Sequence, residues 1–551
     1  MRTLRQVAWL SFSLLFLAIV YSGPGQAAGD NAVVTAARDG DLRAVRALIG
    51  KKANVNEPAR DGSTALLWAV YHSDLEMAHA LVAAGASVNV PNKYGVTPLI
   101  QAGRNGDTPM LDALLKAGAD VNLAHPDGET AILSASRAGR ADAVRLLVEA
   151  GADVNARTYQ DETALMWAAA EGHADVIQAL LDAKADPNVK ARLTTLKERK
   201  HADHPTGGFT ALMFAARNGH ETAARALIAG GADPKLTNGD GVTAMAIAVV
   251  NDRFDLAKVL LDLGADPDDG SLYFAIDMHD ATTDMRARDG SRLRADHPNR
   301  LGALDLAKAL LEKGANPNKA FVGQLHSSTL CCDAEVNASP FFRAAVAADV
   351  EALKLMLQYG ANVEWTPTEV KREGRGGGGR GNANVGRTPM MMAMTGGRGA
   401  PFAAGPGFDR LGPPPFREPS NREPADAIRV LLDAGADPNV KAPDGSTPLH
   451  QAVTARQVPI IRALVAAGAK LDAVNKDNLT PLLLAEKPDP PPPPGNNTDS
   501  RVWRPKRNTR DEVIAALREL MGLRPDEPAP APPPADPNAK PDEKTTEAEA
   551  Q

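Results

Sequence analysis

His201 and His204 stand three residues apart with Asp203 between them, a spacing that sets two imidazoles on one side of a helical turn, as a metal site would use. No third ligand accompanies them, so no metal is expected there. His326, Cys331, Cys332 and Asp333 form a second mixed cluster, suited to thiol chemistry or a metal. Cys331 and Cys332 are adjacent, and a disulfide between neighbours closes a strained ring. Free thiols or an intermolecular bridge are therefore expected. The chain has no C-x-x-C-H haem attachment, G-x-S-x-G, H-E-x-x-H, phosphate loop or dinucleotide fingerprint. No catalytic residue, no cofactor and no metal are expected, and the chain reads as a non-enzyme. His173 and His220 each follow a Gly and read as turn residues that bond backbone. Trp68, Trp167 and Phe214 each lie four residues after a Thr and read as core side chains.

Those Thr residues keep a period. Thr64, Thr97, Thr130 and Thr163 are each 33 apart, and Thr210–Thr243 and Thr447–Thr480 repeat the step. Gly85, Gly118, Gly151, Gly231, Gly264 and Gly468 lie 21 residues after their Thr. A fixed period of this size means stacked supersecondary units rather than one closed core, and it favours binding over catalysis. In the stretch Asp127 to Ala156, Asp127-Gly128-Glu129-Thr130 reads as a turn whose Thr130 caps a short helix over Ala131 to Ala138. Gly139 ends that helix. A second, about Asp142 to Ala150, carries Val144, Leu147 and Val148 at core spacing, and Gly151 closes it in the left-handed conformation. Elsewhere the residue after the Thr or Ser is Pro (Pro98, Pro340, Pro389, Pro448, Pro481), which suits the first helical position.

This pattern resembles the ankyrin repeat. Gly445-Ser446-Thr447-Pro448-Leu449-His450-Gln451-Ala452 and Thr163-Ala164-Leu165-Met166-Trp167-Ala168-Ala169-Ala170-Glu171-Gly172-His173 carry the resemblance best, together with loops such as Gly151-Ala152-Asp153-Val154-Asn155. It runs from about Ala32 to Gly522 and implies an all-α fold: an ankyrin-repeat solenoid of stacked helix-turn-helix units with hairpin-like finger loops and several long insertions, about eleven to twelve repeats in all. Lys184 departs from it by replacing the closing Gly.

In that family, partners usually meet the finger tips and the exposed end of the first helix. Carried over by position, the site seven residues after the Thr is Tyr71, Arg104, Arg137, Ala170, Arg217 and Val250, with Arg38 in the first unit. His72, Asn105 and Asn218 follow three of these, and the fingers add Arg60, Lys93, Tyr94, Tyr159, Gln160 and Phe209. Arg and Tyr are residue types that carry interface energy. A protein partner is therefore expected along this face, through an acidic or carboxylate-bearing segment, with no nucleic acid and with the chain as a monomer.

The period is interrupted at about Ala191 to His204, Phe321 to Asp333 and Pro367 to Asn382, which are finger positions, and inside repeats at about Asp280 to Gly302 and Gly397 to Pro424. The Gly374–Gly381 Arg-Gly run reads as a flexible linker. The expected organisation is a leader at 1–27, a regular array at 32–269, an interrupted array at 270–487, a Pro-rich linker at 488–510, a capping helix at 511–522 and a disordered tail at 523–551.

Arg2 and Arg5, the apolar run Val7 to Val20 and Gly25-Gln26-Ala27 read as a Sec-type signal cleaved near Ala27. A periplasmic or secreted protein without a transmembrane segment after cleavage is expected. The formal net charge is −7, much of it from the loop Asp residues, so it describes the fold more than a partner. The leading expectation is an interaction scaffold of the bacterial periplasm or cell envelope. An accessory or protective subunit of an exported redox or hydrolytic enzyme, and a cell-wall or carbohydrate binder, are the alternatives.

Overall fold

The protein is seen in a computed structural model that describes residues 31–195, 205–239, 241–280, 299–321, 338–368, 385–394, 423–488 and 507–533. The leader, His201 and His204, the His326–Asp333 cluster, the Arg-Gly run and the far tail lie outside the described residues. Two compact units divide the chain: Met1–Arg192 with Arg225–Gly231, and Leu193–Ala224 with Ala232–Gln551. The change from regular to interrupted spacing lies inside the second.

The first unit is built from helix pairs. They are Ala32–Arg38 with Leu42–Gly50, Ala65–Tyr71 with Leu75–Ala83, Pro98–Asn105 with Thr108–Lys116, Ala131–Arg137 with Ala141–Glu149, and Ala164–Glu171 with Ala174–Asp182. Asn31 caps the first of these helices, and the other four first helices start where the chain leaves an extended Thr. Thr64 Oγ1 accepts from the Leu67 N–H at 3.2 Å and Thr97 Oγ1 from the Ile100 N–H at 3.2 Å, satisfying donors that no helical partner reaches. Thr130 departs from expectation. The helix starts at Ala131, but the Thr130 hydroxyl makes no capping bond and is buried without a partner among the described residues. Asp41, Asp74 and Asp107 cap the second helices in the same manner, each accepting from the N–H three residues on.

Small residues let neighbouring first helices approach. At Gly103 an added Cβ would come within 2.7 Å of the Ala131 carbonyl oxygen, so no side chain fits. Leu66, Leu81, Ile100, Leu111, Leu114 and Ile132 are fully buried between the layers. After the second helices of the middle three pairs Gly85, Gly118 and Gly151 take positive φ, and Lys52 and Lys184 take the same conformation in the first and fifth pairs, at φ 60° and 67°, without being Gly.

The loop asparagines then tie each repeat to the next. Asn122 Nδ2 donates to the Gly151 carbonyl at 3.1 Å, and the Asp153 N–H donates to Asn122 Oδ1 at 2.8 Å. Asn89 and Asn56 make the same two bonds, one and two repeats earlier respectively. The fingers are joined by backbone bonds as well, Lys93 N–H to the Asp61 carbonyl at 2.8 Å and Tyr159 N–H to the Asp127 carbonyl at 2.7 Å.

The second unit opens with a finger that is a true hairpin. Leu193–Thr195 pairs antiparallel with Pro205–Gly207, Leu193 opposite Gly207. Seven helix pairs follow in chain order. The first is Ala211–Asn218 with Glu221–Ala229, whose second helix contributes to both units. The rest are Ala244–Val250 with Phe254–Asp262, Ser271–Asp280 with Ala303–Glu312, Pro340–Val346 with Val350–Gln358, Pro389–Ala393 with Pro424–Asp433, Pro448–Ala455 with Val458–Ala466, and Pro481–Glu486 with Arg510–Met521. The insertions expected inside repeats fall between the helices of the third and fifth of these pairs. The Pro-rich linker divides the last pair in the same way. Its second helix is held by Arg518 to Glu486 at 2.7 Å and by Arg462 to Glu519 at 2.6 Å. Arg518 also donates to the carbonyl of Glu527 at 2.8 Å, so the start of the tail lies against this helix.

Candidate interaction face of the first helices and fingers

Within the first unit, the first-helix ends and the fingers carry the expected partner residues. Arg38 is half-buried, its Nε 4.0 Å from Asp39. Tyr71 sets its ring edge-on to Trp68, with centroids 5.6 Å apart, and Trp68 stacks on His72 at 6.1 Å. Arg104 grips Glu129 with two bonds, Nε to Oε1 at 3.2 Å and Nη2 to Oε2 at 2.5 Å. The buried Glu129 also accepts from Ser134 Oγ at 2.7 Å. Arg137 lies over the Trp167 ring, 5.5 Å from its centroid. Each of these contacts joins a side chain to its own repeat or to the next one along.

His72 and Asn105 are occupied in holding the stack. His72 Nε2 donates to the Arg38 carbonyl at 2.9 Å, and Asn105 Nδ2 donates to the Val70 carbonyl at 2.8 Å. His173 does the turn work expected of it, reaching the Arg137 carbonyl at 3.2 Å. On the fingers, Tyr94 and Tyr159 stand 54% and 62% exposed. Lys93 is exposed next to Tyr94, Arg60 is exposed on the preceding finger, and Gln160 is half-buried with its carbonyl bonded to the Arg192 N–H. In the second unit the Arg217 guanidinium lies 5.0 Å from the Phe214 ring centroid and 5.6 Å from that of Phe209, and Asn218 is half-buried.

The aromatic residues expected in the core are not there. Trp68, Trp167 and Phe214 are half-buried on this face. The space between first helices is set by Ala and Gly, and an indole does not fit it. Each ring therefore lies outward, where a Tyr or Arg covers it. Trp167 Nε1 donates to Glu162 Oε2 at 3.1 Å. Sequence reasoning passed over Glu129 and Glu162, which both stand immediately before their Thr. That recurrence was the available signal.

Around Trp68 the face dips into a small open cleft lined by Ser63, Leu67, Trp68, Tyr71, Asn92 and Gln101 among others. Among the described residues no cluster of His, Cys, Asp and Glu is placed to hold a metal, and no described helix is long and apolar enough to cross a membrane.

A family model for ankyrin repeats (three copies) matches residues 14–92, 33–125, 99–191, 193–270 and 420–488, which together make up more than half of the chain. The chain belongs to the ankyrin-repeat family. This ankyrin-repeat protein is 44% identical over 73 residues to Protein fem-1 homolog A of Bos taurus, covering 13% of this chain and 11% of that one. It is 45% identical over 64 residues to the Neurogenic locus Notch protein of Drosophila melanogaster, covering 11% of this chain and 2% of that one. The chain thus spans about a tenth or less of the curated relatives it matches. The human ASB11 ankyrin repeat domain is similar at a TM-score of 0.37 and 24% identity, covering 43% of this chain and 99% of that domain.

Proposed function

We propose that this ankyrin-repeat protein is a non-enzymatic scaffold of the bacterial cell envelope that binds a protein partner on the first-helix and finger face of its first unit. Ankyrin repeats indicate a protein–protein interaction scaffold. The observation that supports this particular face is the pair of exposed tyrosines, Tyr94 and Tyr159, on fingers that are already bonded to their neighbours. A rigid aromatic on a preformed support loses little entropy on docking, so modest contacts can add up. Arg38 and Arg104 are paired with Asp39 and Glu129, and the exposed Arg60 and Lys93 on the fingers suit an acidic segment. The envelope location rests on the leader pattern in residues 1–27.

The test is capture from a cell-envelope extract with the chain from Ala28 onward, beside Tyr94→Ala/Tyr159→Ala. A dominant partner lost with the double variant supports the reading. Retention of that partner by the variant sinks this face as the site. A mature N-terminus other than one near Ala28, read by mass spectrometry, sinks the export reading.

A further inference from the structure

Trp68 and Asn92, both lining the cleft at the second repeat, each hold a buried donor that no described residue satisfies. Trp68 Nε1 and Asn92 Nδ2 have no acceptor among the described residues. Asn92 is only 5% exposed, and its orientation is fixed. Its Oδ1 accepts from the N–H groups of Tyr94 and Val96, both at 3.0 Å, so turning the amide over would lose both bonds. Buried donors of this kind are rare in folded proteins and costly to leave unmade.

The chain itself shows what fills such a place. Trp167 occupies in the fifth repeat the position Trp68 occupies in the second, four residues after its Thr. There the indole N–H is met by a carboxylate, Glu162, which stands just before Thr163. The residue just before Thr64 is Ser63. Its hydroxyl is short and already donates to Asp61 Oδ2 at 2.9 Å. The fifth repeat therefore carries its own acceptor and the second repeat does not.

We propose that the cleft at Trp68 is a carboxylate-reading subsite that takes an Asp or Glu side chain from a partner polypeptide, with the Trp68 indole N–H and the Asn92 amide as its donors. Two donors match the two oxygens of a carboxylate. Lys93, next to Asn92 in sequence and exposed, places a cation near the cleft. The cleft is small and both donors are buried, so the carboxylate enters as the tip of a larger ligand and the side chains that cover the donors give way to it. Tyr94, on the same finger as Asn92, offers that ligand an exposed ring. This subsite rests on the scaffold reading above and names the chemistry it would recognise.

The experiment uses the chain from Ala28 onward against an array of short acidic peptides, and against the same array with every Glu and Asp replaced by Gln and Asn. Two variants accompany it. Ser63→Glu supplies the second repeat with the internal carboxylate that the fifth already has. Trp68→Phe keeps the ring and removes the N–H. The expected result is binding to acidic peptides that falls about tenfold or more with the amide array and with each variant, the loss of one charge-assisted hydrogen bond. The Trp68 indole proton resonance, assigned through Trp68→Phe, should shift on binding, and Ser63→Glu should be more stable than the parent. Acidic peptides that bind Trp68→Phe and Ser63→Glu as they bind the parent overturn the subsite and leave the scaffold reading standing. An array with no binder also overturns the subsite, while envelope capture reads the scaffold separately. A Trp68 shift of the same size with sodium acetate alone overturns the polypeptide source. If Ser63→Glu fails to fold, Trp68→Phe and the amide array still decide the matter.

Discussion

His450 Nε2 lies 2.9 Å from the Leu479 carbonyl oxygen, a bond that reaches from one repeat into the next. Its other nitrogen, Nδ1, receives the Thr447 N–H at 3.2 Å and the Thr447 hydroxyl at 2.8 Å. A nitrogen that accepts a backbone N–H carries no proton, so the folded ring is neutral with its hydrogen on Nε2. Burial pushes the His450 pKa below the ordinary 6.5, while the Leu479 bond opposes that shift.

A pH dependence follows. The unfolded ring takes a proton near 6.5 and the folded ring resists it to lower pH, so stability from this group is full above about 6.5 and declines as pH falls below it. Hydrogen exchange of residues 447–480, corrected for intrinsic rate, should show weaker protection at acid pH. His450→Gln should flatten the change. Equal protection on both sides of the window would show that His450 does not set it.

The Asn122 rung is expected to be worth about 2 kcal/mol, from two exposed hydrogen bonds of about 1 kcal/mol each. Asn122→Ala should lower stability by that amount, and Asn122→Asp, which keeps only the acceptor, by about half. Asp268 and Glu364 are natural versions of the acceptor-only rung, receiving the N–H groups of Asn316 and Asp437 at 2.7 and 2.8 Å. Urea unfolding with local exchange data checks the ratio of the two losses.

Lys184→Gly should stabilise the protein by about 1 kcal/mol, because Lys184 holds a left-handed backbone that an L side chain disfavours. Thermal unfolding of the variant should move upward. No change, or a fall, would mean that the side chain contributes packing that offsets the backbone strain.

Gly139 and Gly151 both have positive φ but should answer Ala differently. An added Cβ at Gly139 would meet His173 Cε1 at 2.5 Å and disturb its bond to the Arg137 carbonyl, whereas at Gly151 it meets nothing within 4 Å. Gly151→Ala should cost about 1 kcal/mol from backbone strain alone, and Gly139→Ala about 2 kcal/mol or more. Equal losses at the two positions would remove the role assigned to His173.

The helix pairs were readable in the sequence because their signals are local. A Thr cap, a Pro at the first helical position and a closing Gly act within one turn of themselves, and the period repeats them. Two features were not readable. The Asn rungs find their partners 29 and 31 residues away, so nothing near Asn122 announces them. The outward placement of Trp68 and Trp167 depends on how closely neighbouring first helices pack, which Gly103 and the Ala131 carbonyl settle across repeats. On the candidate face, Arg104 and Arg137 were placed by position, but their matches, Glu129 and Trp167, belong to the following repeat and emerged only with the fold.

The rungs also mark where the chain can change length. From Gly118 to Asn122, Gly151 to Asn155, Gly314 to Asn318 and Gly435 to Asn439 the spacing is the same, and no insertion enters it. The fingers and the gaps within helix pairs have absorbed all the extra residues. Where a lengthened finger intervenes, Asn188 still reaches the Gly231 carbonyl 43 residues on, and Asn318 reaches that of Gly360 42 residues on. One edge of each repeat acts as a fixed gauge and the others as open ports. A foreign peptide grafted at a finger should leave the assembly in register, while a single residue added between Gly118 and Asn122 should break it.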